Sequence, residues 1–257
     1  MNILNLFLYT LTTFSAPQTS EKTDSILAYC DFSRLTPGSF GEFAAKGFPE
    51  YHYVPRKFTD GWEIVNNRGP EEWKVLESDG KQSLNYLGYN ETVWTHDYIY
   101  PMLCYGDTRW KDYTLDVLIS PYDRKDLNGV VFRYQDGRHY YLFGLGRGDS
   151  IILRYRDGEK GFRQDGWHEL ASGHYKTDPA KSYRLRVEAS GTMIKCLIDD
   201  KEIFNVSDNR YSGGKVGLFA TSPVAFHEVR VSATAKAREE FLALRAAQDK
   251  EVEELRR

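Results

Sequence analysis

Charge of one sign, cysteine and long apolar runs are all in short supply in this 257-residue chain. Its 34 lysines and arginines nearly balance 37 aspartates and glutamates, leaving a formal charge of −3. Without a basic excess there is no electrostatic footprint for nucleic acid or for an anionic membrane surface, and neither is expected as a partner. The three cysteines, Cys30, Cys104 and Cys196, form no C-x-x-C spacing, which excludes the common zinc and dithiol redox motifs. Cys196 sits in the apolar run Met193 to Ile198 and reads as a buried thiol, whereas Cys30 and Cys104 are the two that a disulfide would join. Missing too is any Glu-x-Asp-x-Glu strand, a spacing that would set a general acid and a nucleophile on one face for retaining glycoside hydrolysis. No glycine pattern of a nucleophile elbow is present. Met1 to Ala16 contains an apolar stretch of about a dozen residues, too short to cross a bilayer. It ends on a small residue before Pro17 and a polar spacer that runs to residue 25. It reads as a secretory signal peptide lacking the usual positive start, and it points to a secreted or periplasmic protein.

What the chain has in excess is aromatic residues, 14 % of the total, with 18 tyrosines and 5 tryptophans. Such a surplus suits strands of a β-sandwich and also suits stacking on sugar rings. The clearest segment is Asn128 to Leu145, where two aromatic-rich runs flank Asp136-Gly137, a favoured two-residue hairpin turn. That turn pairs Phe132 with Tyr141 and Val130 with Phe143 on one face. On the other it pairs Val131 with Leu142 and Arg133 with Tyr140. Asp112 to Ser120 alternates strictly, with Tyr113, Leu115, Val117 and Ile119 on one side and Thr114, Asp116 and Leu118 on the other. Further strands are read at 26–32, 150–156, 167–171, 202–206, 214–220 and 226–232. A second hairpin spans Tyr183 to Ile198, turning at Ser190-Gly191. Residues 33–80 are read as long loops with short strands around Trp62 and Trp73. Strands recurring with turn chemistry between them, uninterrupted by helix, predict an all-β antiparallel sandwich over residues 26–233.

The pattern changes at Ala233. Residues 234–257 contain no glycine or proline, and at about 100° per residue Phe241, Leu244, Gln248, Val252 and Leu255 share a stripe. An amphipathic C-terminal helix is predicted, whose stripe would lie on the sandwich, pair with another copy or lead into a further domain.

The ordered set Trp110-Lys-Asp-Tyr113, Asn128-Gly-Val-Val-Phe-Arg133, Tyr140-Tyr-Leu-Phe143, Tyr183-Arg-Leu-Arg-Val187, Ile198-Asp-Asp-Lys-Glu-Ile203 and Gly213-Gly-Lys-Val-Gly-Leu218 resembles the concanavalin A-like lectin/glucanase superfamily. Within it, the chain is similar to laminin-G-like and 3-keto-disaccharide-hydrolase-type domains of exported bacterial proteins. With Pro101-Met-Leu-Cys-Tyr-Gly-Asp107 and the helix, it also looks like the non-catalytic N-terminal module of some polysaccharide lyases. The resemblance implies a jelly roll, a carbohydrate partner and a downstream catalytic domain.

The residues themselves favour binding over catalysis. Asp116, Arg133 and Tyr140 fall on non-core faces of strands expected to be neighbours. A carboxylate and a guanidinium can share the paired hydroxyls of a sugar while a phenol covers its C–H face. Arg184 and Arg186 would extend that patch toward an acidic glycan, with Trp110 and Trp167 as stacking platforms at the rim. On this reading, replacing Arg133 or Tyr140 weakens glycan binding and leaves the fold's stability alone. No catalytic residue is assigned: a lyase-like trio of Arg133, Tyr140 and His139 is split because His139 faces away from Tyr140. Calcium is a candidate ion at the turn residues Asp199, Asp200 and Asp208, although no EF-hand spacing occurs. The expected function is an exported carbohydrate-binding module that aids polysaccharide degradation. The alternatives are a glycoside hydrolase of the 3-keto-disaccharide type, with catalytic residues from 33–111, and a protein-interaction domain built on the helix.

Overall fold

The computed structural model describes residues 25–39, 56–57, 61–65, 73–88, 100–158 and 166–256. The leader 1–16 and the spacer up to residue 24 lie outside these described residues. In chain order the strands are β1 (Ser25–Cys30), β2 (Gly38–Ser39), β3 (Arg56–Lys57), β4 (Glu63–Ile64), β5 (Trp73–Ser78), β6 (Lys81–Tyr86), β7 (Met102–Tyr105), β8 (Tyr113–Pro121) and β9 (Asn128–Asp136). Then follow β10 (His139–Leu145), β11 (Ser150–Arg156), β12 (Trp167–His174), β13 (Tyr183–Ser190), β14 (Met193–Ile198), β15 (Lys201–Ser207), β16 (Lys215–Ala220) and β17 (Val224–Ala233), before helix α1 (Ala235–Leu255).

These strands form two antiparallel sheets. The first runs β15-β14-β13-β8-β17-β6-β5-β2, with β1 also on β17, and the second runs β12-β11-β10-β9-β16-β7-β4-β3. The all-β sandwich read from the sequence is therefore the observed architecture. Alternation dictates the interior: Leu115, Val117 and Ile119 of β8 and Leu185 and Val187 of β13 meet Val130, Phe132, Tyr141 and Phe143 from the facing sheet, all buried. Each such side chain contributes roughly 1.5–3 kcal/mol by leaving water.

The β9–β10 hairpin departs from expectation near its turn. Asp136 pairs with His139, so the turn falls at Gly137-Arg138, one residue late. Asp136 Oδ1 accepts the Arg138 amide at 2.7 Å, and the His139 ring bonds the same carboxylate at 2.8 Å, which holds the displaced turn. A bulge in β9 then restores the expected pairs Phe132–Tyr141, Val131–Leu142 and Val130–Phe143. Arg133 occupies the bulge with φ 47°, a left-handed conformation. Gly214, at φ 145°, fits against it; a Cβ there would stand 2.4 Å from the Tyr134 carbonyl oxygen.

The bulge removes Arg133 from the face assigned to it. Its side chain has no exposed surface. Nη1 donates to the Tyr211 carbonyl at 3.1 Å, and Nη2 to the Gly191 carbonyl at 2.7 Å and the Lys111 carbonyl at 3.4 Å. Lys111 and Gly191 belong to loops of the first sheet, whereas Arg133 itself is in the second. Asp112 Oδ1 lies 3.9 Å from the guanidinium, and the Arg133 amide donates to the Tyr113 hydroxyl at 2.7 Å. Arg133 is thus a bolt across the sandwich, not a glycan ligand.

The cysteines are thiols with no disulfide among them. Cys30 packs against the interior from β1, whereas Cys104 points to the outer side of the second sheet, so the two face different clusters.

Thr234 caps α1, its side chain accepting the Ala237 amide at 3.2 Å. The predicted stripe is divided. Phe241 meets Trp110 edge-on at 6.4 Å, and Gln248 accepts from Arg109 at 3.4 Å. Leu255, 81 % exposed, touches nothing comparable. The first half of the stripe therefore lies on the sandwich, and Trp110 is a buried platform for the helix instead of a rim residue. Among the described residues no helix is long and apolar enough to cross a membrane.

Two outcomes follow. Arg133→Leu removes the guanidinium from the buried Tyr211 carbonyl and from the part-buried Lys111 and Gly191 carbonyls, and is expected to cost about 3 kcal/mol in urea unfolding, the scale of lost charge-assisted bonds. Phe241→Glu is expected to lower the melting temperature and Leu255→Glu to leave it in place; equal effects would mean the helix is not docked by its first half.

Candidate functional site on the outer face of the second sheet

The two outer faces differ in how their polar groups are satisfied. On the first sheet, Asp116, Arg184 and Arg186 project from β8 and β13, as alternation requires. Asp116 accepts from Arg186 Nε at 2.7 Å, Arg186 Nη1 reaches Asp200 at 2.7 Å, and Arg184 bonds Glu228 at 3.1 Å. Glu188, Lys195 and Glu202 continue the ladder. These charges answer one another, and Asp116 never meets Arg133 because β8 and β9, though consecutive, lie in different sheets. The expected Asp116–Arg133–Tyr140 patch does not form.

The same sheet carries an open cleft of about 490 Å³ edged by Asp31, Glu77, Lys81 and His227. His227 Nε2 and Ser120 Oγ are 2.8 Å apart, and Ser120 Oγ is 2.7 Å from Ser182 Oγ. Burial, with a smaller contribution from Lys81, holds the His227 imidazole below its ordinary pKa.

The calcium expectation fails on geometry. Asp199 and Asp200 form the β14–β15 turn with φ 48° and 63°, where Asp199 Oδ1 accepts the Arg184 amide at 2.8 Å and Asp200 bonds Arg186. Asp208 lies at the other end of β15 and accepts from the Tyr141 hydroxyl. Among the described residues no three acidic, histidine or cysteine side chains converge on a metal position.

The outer face of the second sheet is built differently. Tyr140 and Leu142 of β10, Val131 and Tyr134 of β9, Phe219 of β16 and Met102 and Cys104 of β7 form a second apolar cluster, with Tyr100 and Trp167 against it. Tyr140 is therefore on the outer face, as expected, but it is fully buried there instead of presented. Trp167 stands edge-on to Tyr140 at 5.5 Å and donates from Nε1 to the Tyr100 hydroxyl at 3.2 Å. The Arg154 guanidinium lies 3.8 Å over its ring, and Arg156 lies 5.3 Å from Tyr100 while Nη1 donates to the Gly137 carbonyl at 3.1 Å. Arg154 and Arg156 fall two apart on β11, opposite the inward Leu153, so their shared face was legible from alternation. Tyr134 was not legible, because only the bulge turns it outward. His139 goes the other way, meeting Tyr211 at 6.0 Å, so no Arg133–Tyr140–His139 trio exists.

Two hydroxyls on this face, those of Tyr134 and Tyr140, are buried without a hydrogen-bond partner. Burial keeps both protonated. It pushes the Tyr140 phenol up to about 12 even though Arg156 beside it pulls the other way. It raises the Tyr134 phenol further, with Cys104 adding to the effect. Tyr113, Tyr141 and Tyr211 are raised by burial as well. Each unsatisfied donor costs the fold roughly 1–3 kcal/mol.

No protein-family model matches the chain, and no curated protein matches it by sequence. Solved structures match it in fold. A carbohydrate-binding module, CBM66 from Bacillus subtilis, is similar over 67 % of this chain and 96 % of its own, at 19 % identity and a TM-score of 0.51. The GH43 protein BlXynB from Bacillus licheniformis matches 74 % of this chain at 16 % identity and a TM-score of 0.50. A xylan beta-1,4-xylosidase from Bacillus halodurans C-125 matches 73 % at 12 % identity and 0.50. In each of the latter two the match takes up 39 % of the longer chain. These likenesses define the class of the fold, a jelly-roll β-sandwich shared with that module.

The first-sheet site makes a pH prediction. A depressed folded pKa means that the unfolded chain binds more protons below about 6.5, so stability falls as pH drops below that value. His227→Asn should flatten the fall in urea midpoint between pH 7.5 and 5.5; an unchanged slope would remove His227 as its cause.

Proposed function

We propose that the chain is an exported carbohydrate-binding β-sandwich that assists polysaccharide degradation without cleaving the glycan itself, and that sugar binds on the outer face of the second sheet. The observation that carries this reading is the pair of unpartnered phenols beside the Arg154-covered Trp167. Hydroxyls kept buried without partners oppose stability, and a ligand that accepts from them gives such an arrangement its use. On the first sheet the outward Asp116, Arg184 and Arg186, which the sequence offered as the glycan patch, are already spent on ion pairs with each other and with Glu228 and Asp200. The match along nearly the whole of a carbohydrate-binding module, 96 % of its length, supports the same reading. Of the glycan-contact residues read from the sequence, Tyr140 and Trp167 lie on this face, joined there by Tyr134, Arg154, Arg156 and Tyr100. The 3-keto-disaccharide hydrolase alternative draws on residues 33–111, of which 40–55, 58–60, 66–72 and 89–99 lie outside the described residues.

Calorimetric titration against a panel of neutral and acidic oligosaccharides tests the reading. Binding should appear without release of new reducing ends, and Trp167→Ala should lower affinity about tenfold, about 1.4 kcal/mol, with the far-ultraviolet circular dichroism unchanged. Silence across the panel would overturn it, and steady appearance of reducing ends would favour the hydrolase.

A further inference from the structure

The cleft on the first sheet is a break in that sheet. One edge of β17 pairs with β8. The other edge meets β6 over Val224–Phe226 and β1 over Val229–Ala233, so among the described residues His227 and Glu228 have no strand beside them there. His227 is also the extra residue of a bulge against β8. Both His227 and Glu228 therefore line the cleft, where regular alternation would send them to opposite faces. Its volume of about 490 Å³ falls within the usual span of small-ligand sites, roughly 300–1,000 Å³. Leu118 gives it an apolar wall, and Asp31, Glu77 and Lys81 complete its polar rim.

The charges of the cleft balance. Glu228 is paired with Arg184 at 3.1 Å, and Asp31 accepts from the Ser33 amide and hydroxyl with the Arg34 charge nearby. Burial keeps the His227 imidazole uncharged at neutral pH. Glu77 and Lys81, from the two strands of one hairpin, are opposite in sign; both are exposed, and no ion pair joins them. A charged ligand meets no surplus of the opposite sign here. A neutral, hydroxyl-rich ligand finds both hydrogen-bonding senses: the carboxylates accept from its hydroxyls, and the Lys81 ammonium donates to them. Leu118 meets the C–H groups of a ring.

We infer that this cleft binds a neutral sugar unit of a polysaccharide, held by Asp31, Glu77 and Lys81 against Leu118, as a glycan site separate from the one on the second sheet. This rests on the carbohydrate-binding reading above and adds to it a second place and a sugar class. The two sites look out from opposite layers, so one chain holds two stretches of glycan, and its attachment to a polymer is tighter than either site gives alone.

The test is equilibrium dialysis of the full chain against neutral trisaccharides of glucose, xylose and arabinose, with a galacturonic acid trisaccharide beside them. At least one neutral trisaccharide should saturate at two per chain. Glu77→Gln and Lys81→Met should each weaken the cleft about tenfold, the scale of one bond to a charged group. Together they should bring saturation down to one per chain, with the melting temperature unchanged because both side chains are exposed, and Trp167→Ala should remove the other site. Binding that Trp167→Ala abolishes and the cleft pair leaves untouched would overturn the inference and keep the carbohydrate reading. Binding of the acidic trisaccharide alone would do the same. Binding lost in the cleft pair but kept in Trp167→Ala would support the inference and overturn the placement of sugar on the second sheet. Silence from every trisaccharide, neutral and acidic, would overturn both.

Discussion

A single guanidinium holds the two layers in register. Arg133 leaves its own strand through a bulge and satisfies carbonyls contributed by the loops at Lys111, Gly191 and Tyr211, so both sheets close on one planar group. Five donors in a fixed fork suit this task in a way that a lysine's point charge does not. The bulge that frees Arg133 also turns Tyr134 outward, and Gly214 makes room for it. The interlayer bolt and the outward phenol are therefore two results of the same local distortion, and neither arises from a regular hairpin.

The two outer surfaces of the sandwich divide the polar chemistry. The first sheet settles its charges internally along Asp116, Arg186 and Asp200, and pairs of this kind on a solvated face contribute little to stability. The second sheet buries aromatic mass and leaves two hydroxyls unanswered.

The strands from Tyr113 onward were legible because alternation and turn residues agree there. Asp199-Asp200 forms the expected tight turn, and the inward and outward sets of β8 and β13 are as read. Asp79-Gly80 forms a similar turn between β5 and β6, with φ 53° and 69°, inside a region read mostly as loop. Asp136-Gly137, the more persuasive signal, failed because the Asp136 carboxylate caps the following amide and shifts the turn. The site suffered more than the fold. Facing residues follow from local periodicity, but which strands become neighbours does not: β8 and β9 succeed one another in the chain yet enter opposite layers, and this separates Asp116 from Arg133. Arg154 and Arg156 carried a usable signal in their spacing, whereas Tyr134 carried none without the bulge.

The buried tyrosines also set an upper edge on the conditions this fold tolerates. A phenol in an unfolded chain loses its proton near pH 10, about its ordinary value. Tyr113, Tyr134, Tyr140, Tyr141 and Tyr211 hold theirs beyond that point while the sandwich is intact. Above that pH the expanded chain gains several phenolates at once that the native one refuses, so alkali erodes the fold steeply and cooperatively instead of residue by residue. In an absorbance titration these five would then contribute their tyrosinate together as the protein collapses, apart from the gradual ionisation of the exposed tyrosines.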